Sequence, residues 1–236
     1  MLGVRSVVNA VVFDMDGVLV ESEHLWEEFW AKFAAARGAS WGPEQTKKVQ
    51  GMSSPEWSAF LAEFAGARET AAETERLVVD DMIGALEQGR IELLAGAREM
   101  VLAAAARGPI ALASSAARRV IDAVLVHHGI SANFTATVSS EEVPRGKPNP
   151  DVYLAAASRL GVAPDNCLAV EDSSNGLRAA AAAGMTVLAI PNPQYPPAED
   201  ALALATFASS EHDKIREFLV NALDGQSEPQ GTVTGR

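Results

Sequence analysis

Along this chain, short continuous apolar runs alternate with longer stretches whose apolar residues return every three or four positions. Residues 7–13, 110–113, 134–138, 167–170 and 186–190 are of the first kind and predict buried strands, with 203–208 a weaker sixth. Residues 97–107, 116–128, 150–160, 174–183 and 211–223 are of the second kind and predict helices. Gly108, Gly129, Gly161 and Gly184 stand where four of those helices should stop. Strand and helix in alternation predict the α/β class, a Rossmann-like parallel sheet with helices on both faces.

Residues 22–92 break this rhythm. Leu25, Phe29 and Phe33 fall four apart and give one apolar helix face, 56–64 and 70–88 predict two more helices, and no convincing strand occurs. The block reads as a helical insertion after the first strand, placed to fold over the sheet as a lid. The expected layout is a core of residues 1–21 and 93–223, a cap of 22–92, and a frayed polar tail of 224–236. Alanine runs such as 103–106 and 179–183 lie inside helical patterns, where small side chains let a helix approach a sheet closely.

Composition narrows the class. With 48% hydrophobic and 21% charged residues, the 236-residue chain can bury a core without disulfides. Its single cysteine, Cys167, sits in an apolar run and reads as a small buried hydrophobe, which fits a cytoplasmic location. No apolar run is long enough to predict a membrane span, and the N-terminal run is too short for a signal peptide. A net charge of −12 argues against nucleic acid or an anionic membrane as partner. An anionic substrate would need local cations, such as a divalent metal and one well-placed lysine. A monomer or weak oligomer is expected.

Polar residues stand at the predicted strand ends. Asp14 and Asp16 follow the first strand, Ser114 and Ser115 the second; Lys147 lies in the loop after the third, and Glu171 and Asp172 follow the fourth. Carboxyl ends of strands in an open parallel sheet line one crevice, where ligands bind. Singly, each group has a plain explanation as a turn, a helix cap or a solvated loop. Together they meet the needs of phosphoryl transfer. Residues two apart at a strand end can point to one side, so Asp14 can attack phosphorus while Asp16 protonates the leaving oxygen and later deprotonates water. Asp14, Glu171 and Asp172 make a hard oxygen site suited to Mg2+. Lys147 adds a positive charge, Ser114 a hydrogen bond to a phosphoryl oxygen, and the helix after it an anion-friendly end.

These segments make the chain resemble the haloacid dehalogenase superfamily, in its phosphatase and phosphomutase branch. Residues 13–20 match the first motif, Ala113 and Ser114 the second, 146–151 the third and 170–176 the fourth. The insertion resembles that branch's α-helical cap. The resemblance implies Asp14 as nucleophile and Asp16 as general acid/base. It implies Mg2+ held by Asp14, the Asp16 carbonyl and Asp172, with Glu171 in support, and a phosphoryl group held by Ser114 and Lys147. True dehalogenases resemble this fold but lack the second aspartate, so Asp16 argues for phosphoryl transfer. The Schiff-base lysine of phosphonoacetaldehyde hydrolases has no counterpart in this cap.

Within the branch, the nearest rival is a β-phosphoglucomutase-type phosphomutase. That enzyme carries an arginine after a Gly-hydrophobic-Ser stretch of the cap, whereas Gly51-Met52-Ser53 is followed here by Ser54. It also carries a histidine where this chain has Trp26, with His24 two residues earlier; residues 23–26 look more like hexose-phosphate phosphatases. Residues 22–92 hold seven Lys and Arg against thirteen Asp and Glu, a net −6. Such a lid suits a neutral leaving group, a sugar or polyol, unless Lys47 or Lys48 turns inward. Ser115, Gly51 and Trp26 are candidates for substrate contact, Trp26 equally for the core. Glu21 occupies a hinge position where the family more often has aspartate, and His127 and His128 read as a helix-end cap. The expectation is Mg2+-dependent hydrolysis of a small phosphorylated metabolite through an aspartyl-phosphate. A phosphomutase is the alternative, and a non-catalytic phosphometabolite binder the third reading.

Overall fold

The structure, a computed structural model, describes residues 8–49 and 51–225. Val7 of the first predicted strand and residues 226–236 of the predicted tail lie outside the described residues. Strand β1 (Ala10–Phe13) and the short β2 (Val20–Glu21) lead into helices α1 (Glu23–Ala35), α2 (Pro43–Val49), α3 (Ser54–Phe64) and α4 (Ala71–Glu87). The chain returns through β3 (Glu92–Leu93), α5 (Ala97–Ala105), β4 (Ile110–Ser114), α6 (Arg118–His127), β5 (Ala136–Ser139) and α7 (Asp151–Leu160). It ends with β6 (Cys167–Glu171), α8 (Ser174–Ala182), β7 (Thr186–Ala189), α9 (Glu199–Leu202), β8 (Phe207–Ala208) and α10 (His212–Leu223).

Six strands form one parallel sheet in the order β5-β4-β1-β6-β7-β8. The pleat divides its side chains between two cores. Val11, Phe13, Ile110, Leu112, Leu168 and Val170 pack with residues of α5, α6 and α10, including Met100, Ile121 and Leu219. The alternate positions Ala10, Val12, Ala111, Ala113, Cys167 and Ala169 pack with Tyr153 and Ala156 of α7 and Leu177 and Ala180 of α8. β1 is central, and the connections on its two sides run to opposite flanks. The crevice at its carboxyl end is therefore the topological switch point at which such sheets bind ligands.

Helices α1 to α4 are inserted between β2 and β3, which pair antiparallel as Val20↔Leu93 and Glu21↔Glu92. This two-stranded neck departs from the strand-free reading of the segment, because two-residue strands carry no readable periodicity. Helix α2 was also not predicted, since its sequence is polar apart from Val49. The sixth strand shrinks to Phe207 and Ala208, tied down by Phe207 stacking on Phe218. Inside the insertion, Leu25, Phe29 and Phe33 are buried as predicted. Trp26, Trp30 and Trp57 meet pairwise at ring-centroid distances of 5.9 Å. Capping boxes start two of its helices, Ser53 with Glu56 for α3 and Thr70 with Glu73 for α4. Among the described residues, no helix is long and apolar enough to cross a membrane.

Candidate active site

The chain turns sharply after β1. Met15 carbonyl accepts from the N–H groups of Leu19 and Val20, and Gly17 N–H donates to the Val20 carbonyl. Gly17 has φ +76, and a Cβ there would lie 2.0 Å from Asp172 Oδ2. Only glycine lets this turn approach the Asp172 carboxylate so closely. The turn leaves Asp14 at the strand end and Asp16 two residues on, both on the wall of one cavity between the sheet and the insertion.

A buried charge network forms its floor. Lys147 Nζ lies 2.7 Å from Asp14 Oδ1 and 2.6 Å from Glu171 Oε1, and all three side chains are nearly inaccessible to solvent. Glu171 also accepts hydrogen bonds from Tyr153 OH at 2.9 Å and from the N–H groups of Asp172 and Ser173. A Cβ on Gly176 would lie 1.6 Å from Glu171 Oε1, so the first turn of α8 also needs glycine. Burial alone would raise the Glu171 pKa, but the Lys147 ammonium and these donors hold it below its usual value. Asp14 behaves oppositely: burial, opposed by Lys147 but reinforced by the charges of Glu171 and Asp16, pushes it up to about 8.

Asp172 is raised as well, first by burial and then by Glu171, Glu23 and Asp14. Asp14, Glu171 and Asp172 each offer a carboxylate oxygen, and these oxygens lie within 4.8 Å of one another. With Asp16, four carboxylates crowd around one lysine. An all-oxygen donor set with surplus negative charge fits a hard divalent cation such as Mg2+.

Asp16 is held from the insertion side. Its Oδ1 accepts from Ser22 Oγ and, at 3.1 Å, from Trp26 Nε1. Burial outweighs these hydrogen bonds and raises the Asp16 pKa. A carboxyl group with a raised pKa thus sits two residues from Asp14.

Asp14, Asp16, Lys147, Asp172, Ser115, Gly51 and Trp26 all line the cavity. Glu171 is fully buried and does not line the cavity. Ser114 is fully buried, and its Oγ accepts from Ala116 N–H at 3.0 Å. Of the two serines, Ser115 is the one on the cavity wall, with Oγ donating to the Gly51 carbonyl at 3.2 Å across to the insertion. Trp26 joins both readings: it belongs to the aromatic core and lines the cavity. Lys47 and Lys48 are exposed and do not line it, and Lys48 Nζ sits 4.2 Å over the Phe60 ring.

Sequence reasoning missed Tyr153, Ser22, Thr46 and Tyr195. One signal was available: the chain has only two tyrosines, and both belong to the site. Tyr153 OH is fully buried against a charged acceptor. Tyr153→Phe is expected to lower stability by about 2 kcal/mol in urea unfolding, because it leaves Glu171 short of a donor.

The chain is similar to known proteins. Residues 8–184 match the haloacid dehalogenase-like hydrolase family. The chain is 34% identical over 193 residues to hexitol phosphatase B of Escherichia coli, covering 79% of this chain and 85% of that protein. It is 29% identical over 191 residues to the bifunctional riboflavin kinase/FMN phosphatase of Arabidopsis thaliana, covering 80% of this chain but spanning only 50% of that longer protein. The crystal structure of CbbY from Rhodobacter sphaeroides in complex with phosphate superimposes with a TM-score of 0.78 at 25% identity, over 88% of this chain and 96% of that one.

Proposed function

The chain belongs to the haloacid dehalogenase-like hydrolase family, and on that premise we propose that it is a Mg2+-dependent phosphatase acting on a small sugar or polyol phosphate. One observation carries the reading: a lysine-paired carboxylate, a protonatable carboxyl group and a buried acidic cluster meet in one cavity. The likeness to hexitol phosphatase B supports the substrate class.

Asp14 Oδ attacks phosphorus, the bond from phosphorus to the leaving oxygen breaks, and Asp16 gives that oxygen its proton. The product is an aspartyl-phosphate on Asp14. Asp16, now a carboxylate, takes a proton from water, whose oxygen attacks the same phosphorus and releases phosphate. Lys147 keeps Asp14 oriented and offers charge to the phosphoryl oxygens. Ser115, with the N–H groups beyond β4, closes the other side, and Ser114 acts by fixing that turn. Mg2+, held by Asp14, Asp172 and the Asp16 carbonyl with Glu171 behind them, would neutralise the phosphoryl group. The insertion, residues 22–92, acts as the cap that contacts the leaving group, over a core of 1–21 and 93–223.

Among the described residues, Lys147 is the sole cation lining the cavity. A mutase must hold a second phosphate, so this lining favours water as acceptor. A panel of phosphorylated metabolites is expected to give phosphate release with sugar or polyol phosphates, abolished by EDTA and restored by Mg2+. Silence across the whole panel would sink the phosphatase reading. Conversion of glucose 1-phosphate to glucose 6-phosphate with a bisphosphate primer would replace it with the mutase.

A further inference from the structure

Away from the carboxylate floor, the cavity has two unlike sides. Trp30, Val49, Met52 and Trp57 supply an indole and aliphatic wall. Facing the same space are Glu23, Thr46 and Tyr195. Tyr195 comes from the core, in the segment between β7 and α9, outside every motif that marks the site. Its hydroxyl donates to Glu27 Oε2 of α1 at 3.3 Å. Thr46 Oγ1 of α2 donates to Glu27 Oε1 at 3.1 Å and accepts from Trp41 Nε1 at 3.0 Å.

These bonds fix what the rim can offer a ligand. Each hydroxyl has one proton, and both protons are committed to Glu27. The oxygens of Tyr195 and Thr46 are left as acceptors, and Glu23 places a carboxyl group on the same wall. A group on the leaving half of the substrate must therefore bring its own donors. A hydroxyl or amine does so, whereas a carboxylate or second phosphate meets acceptors and like charge.

We infer that Tyr195, with Glu23, is a specificity-determining residue that admits phosphomonoesters whose leaving group carries hydroxyls or amines and rejects those carrying a second anion. The inference rests on the phosphatase reading and adds to it a rule of selection and the residues that enforce it. The strut from Tyr195 through Glu27 to Thr46 also ties the core segment to two cap helices.

A matched pair of substrates tests it. Glucitol 6-phosphate and 6-phosphogluconate share one skeleton and differ at a terminal CH2OH or carboxylate. The wild-type enzyme is expected to favour the polyol by at least about tenfold in kcat/KM, and Glu23→Gln to narrow that preference. Tyr195→Phe keeps the ring and removes the acceptor, so KM for glucitol 6-phosphate should rise about three- to tenfold, with kcat changing less than KM. Equal efficiency on both substrates, or a Tyr195→Phe enzyme with unaltered KM for the polyol, overturns the selection rule while leaving the phosphatase reading intact. Mg2+-dependent release from neither member, nor from any of the wider panel, overturns both.

Discussion

Asp14→Asn is expected to lower phosphate release by about 10^4-fold or more, because loss of the proposed covalent nucleophile cannot be made up by the remaining groups. The same substitution should not unfold the metal-free protein. Asp14 shares one lysine with Glu171 and faces two further carboxylates, and its pKa is pushed up to about 8. The folded state therefore binds a proton that the unfolded chain, with an ordinary aspartate near 3.8, has already lost. That contribution to stability is complete below about pH 4 and disappears as pH rises through 8. Metal-free wild-type protein should lose stability over this interval, and Asp14→Asn should flatten the loss. Denaturant melts at several pH values in EDTA, set beside the phosphate assay, check both. A variant that is inactive and less stable at pH 8 than wild type would contradict the charge balance described here.

Lys147→Met is expected to have the largest effect on stability, a loss of about 3–5 kcal/mol at neutral or higher pH. Among the described residues, Lys147 is the single cation touching Asp14 and Glu171, and it also lies 5.0 Å from the Tyr153 ring centroid. Without it, the depressed pKa of Glu171 loses its main support and the acidic cluster stands uncompensated. Acidification should shrink the defect, since protonation then removes the same repulsion. Mg2+ should restore part of it by mass action, about 2.7 kcal/mol at a hundredfold excess over its Kd. Urea unfolding with and without Mg2+ measures this, and insensitivity of the variant to both pH and Mg2+ would contradict the network.

The sheet and the floor of the site were legible in the sequence for one reason. Strand ends in a parallel sheet are brought together by topology, so Asp14, Lys147 and Asp172 could be assembled without knowing any side-chain direction. Where direction matters, the reading reached less far. Ser114 ends β4 and Ser115 opens the bend beyond it, and the one-dimensional pattern does not say which of them meets the cavity. Tyr153 acts because of its phase in the first turn of α7, and Tyr195 because of the path of an aperiodic segment. The neck formed by β2 and β3 escaped because four residues cannot display a period. The charge of the cap was legible, but the outward placement of Lys47 and Lys48 needed the fold.

The position of β1 also orders events in time. This strand is near the start of the chain, yet its partners begin at Ile110 on one side and Cys167 on the other. As the polypeptide emerges from the ribosome, the helices of the insertion can form from local contacts, while β1 waits for neighbours roughly a hundred residues or more away. Asp14 meets Lys147 and Asp172 only after β6 is made. Incomplete chains therefore lack the assembled cavity floor, and Asp14, the proposed nucleophile, spends the early part of synthesis apart from Lys147 and Asp172.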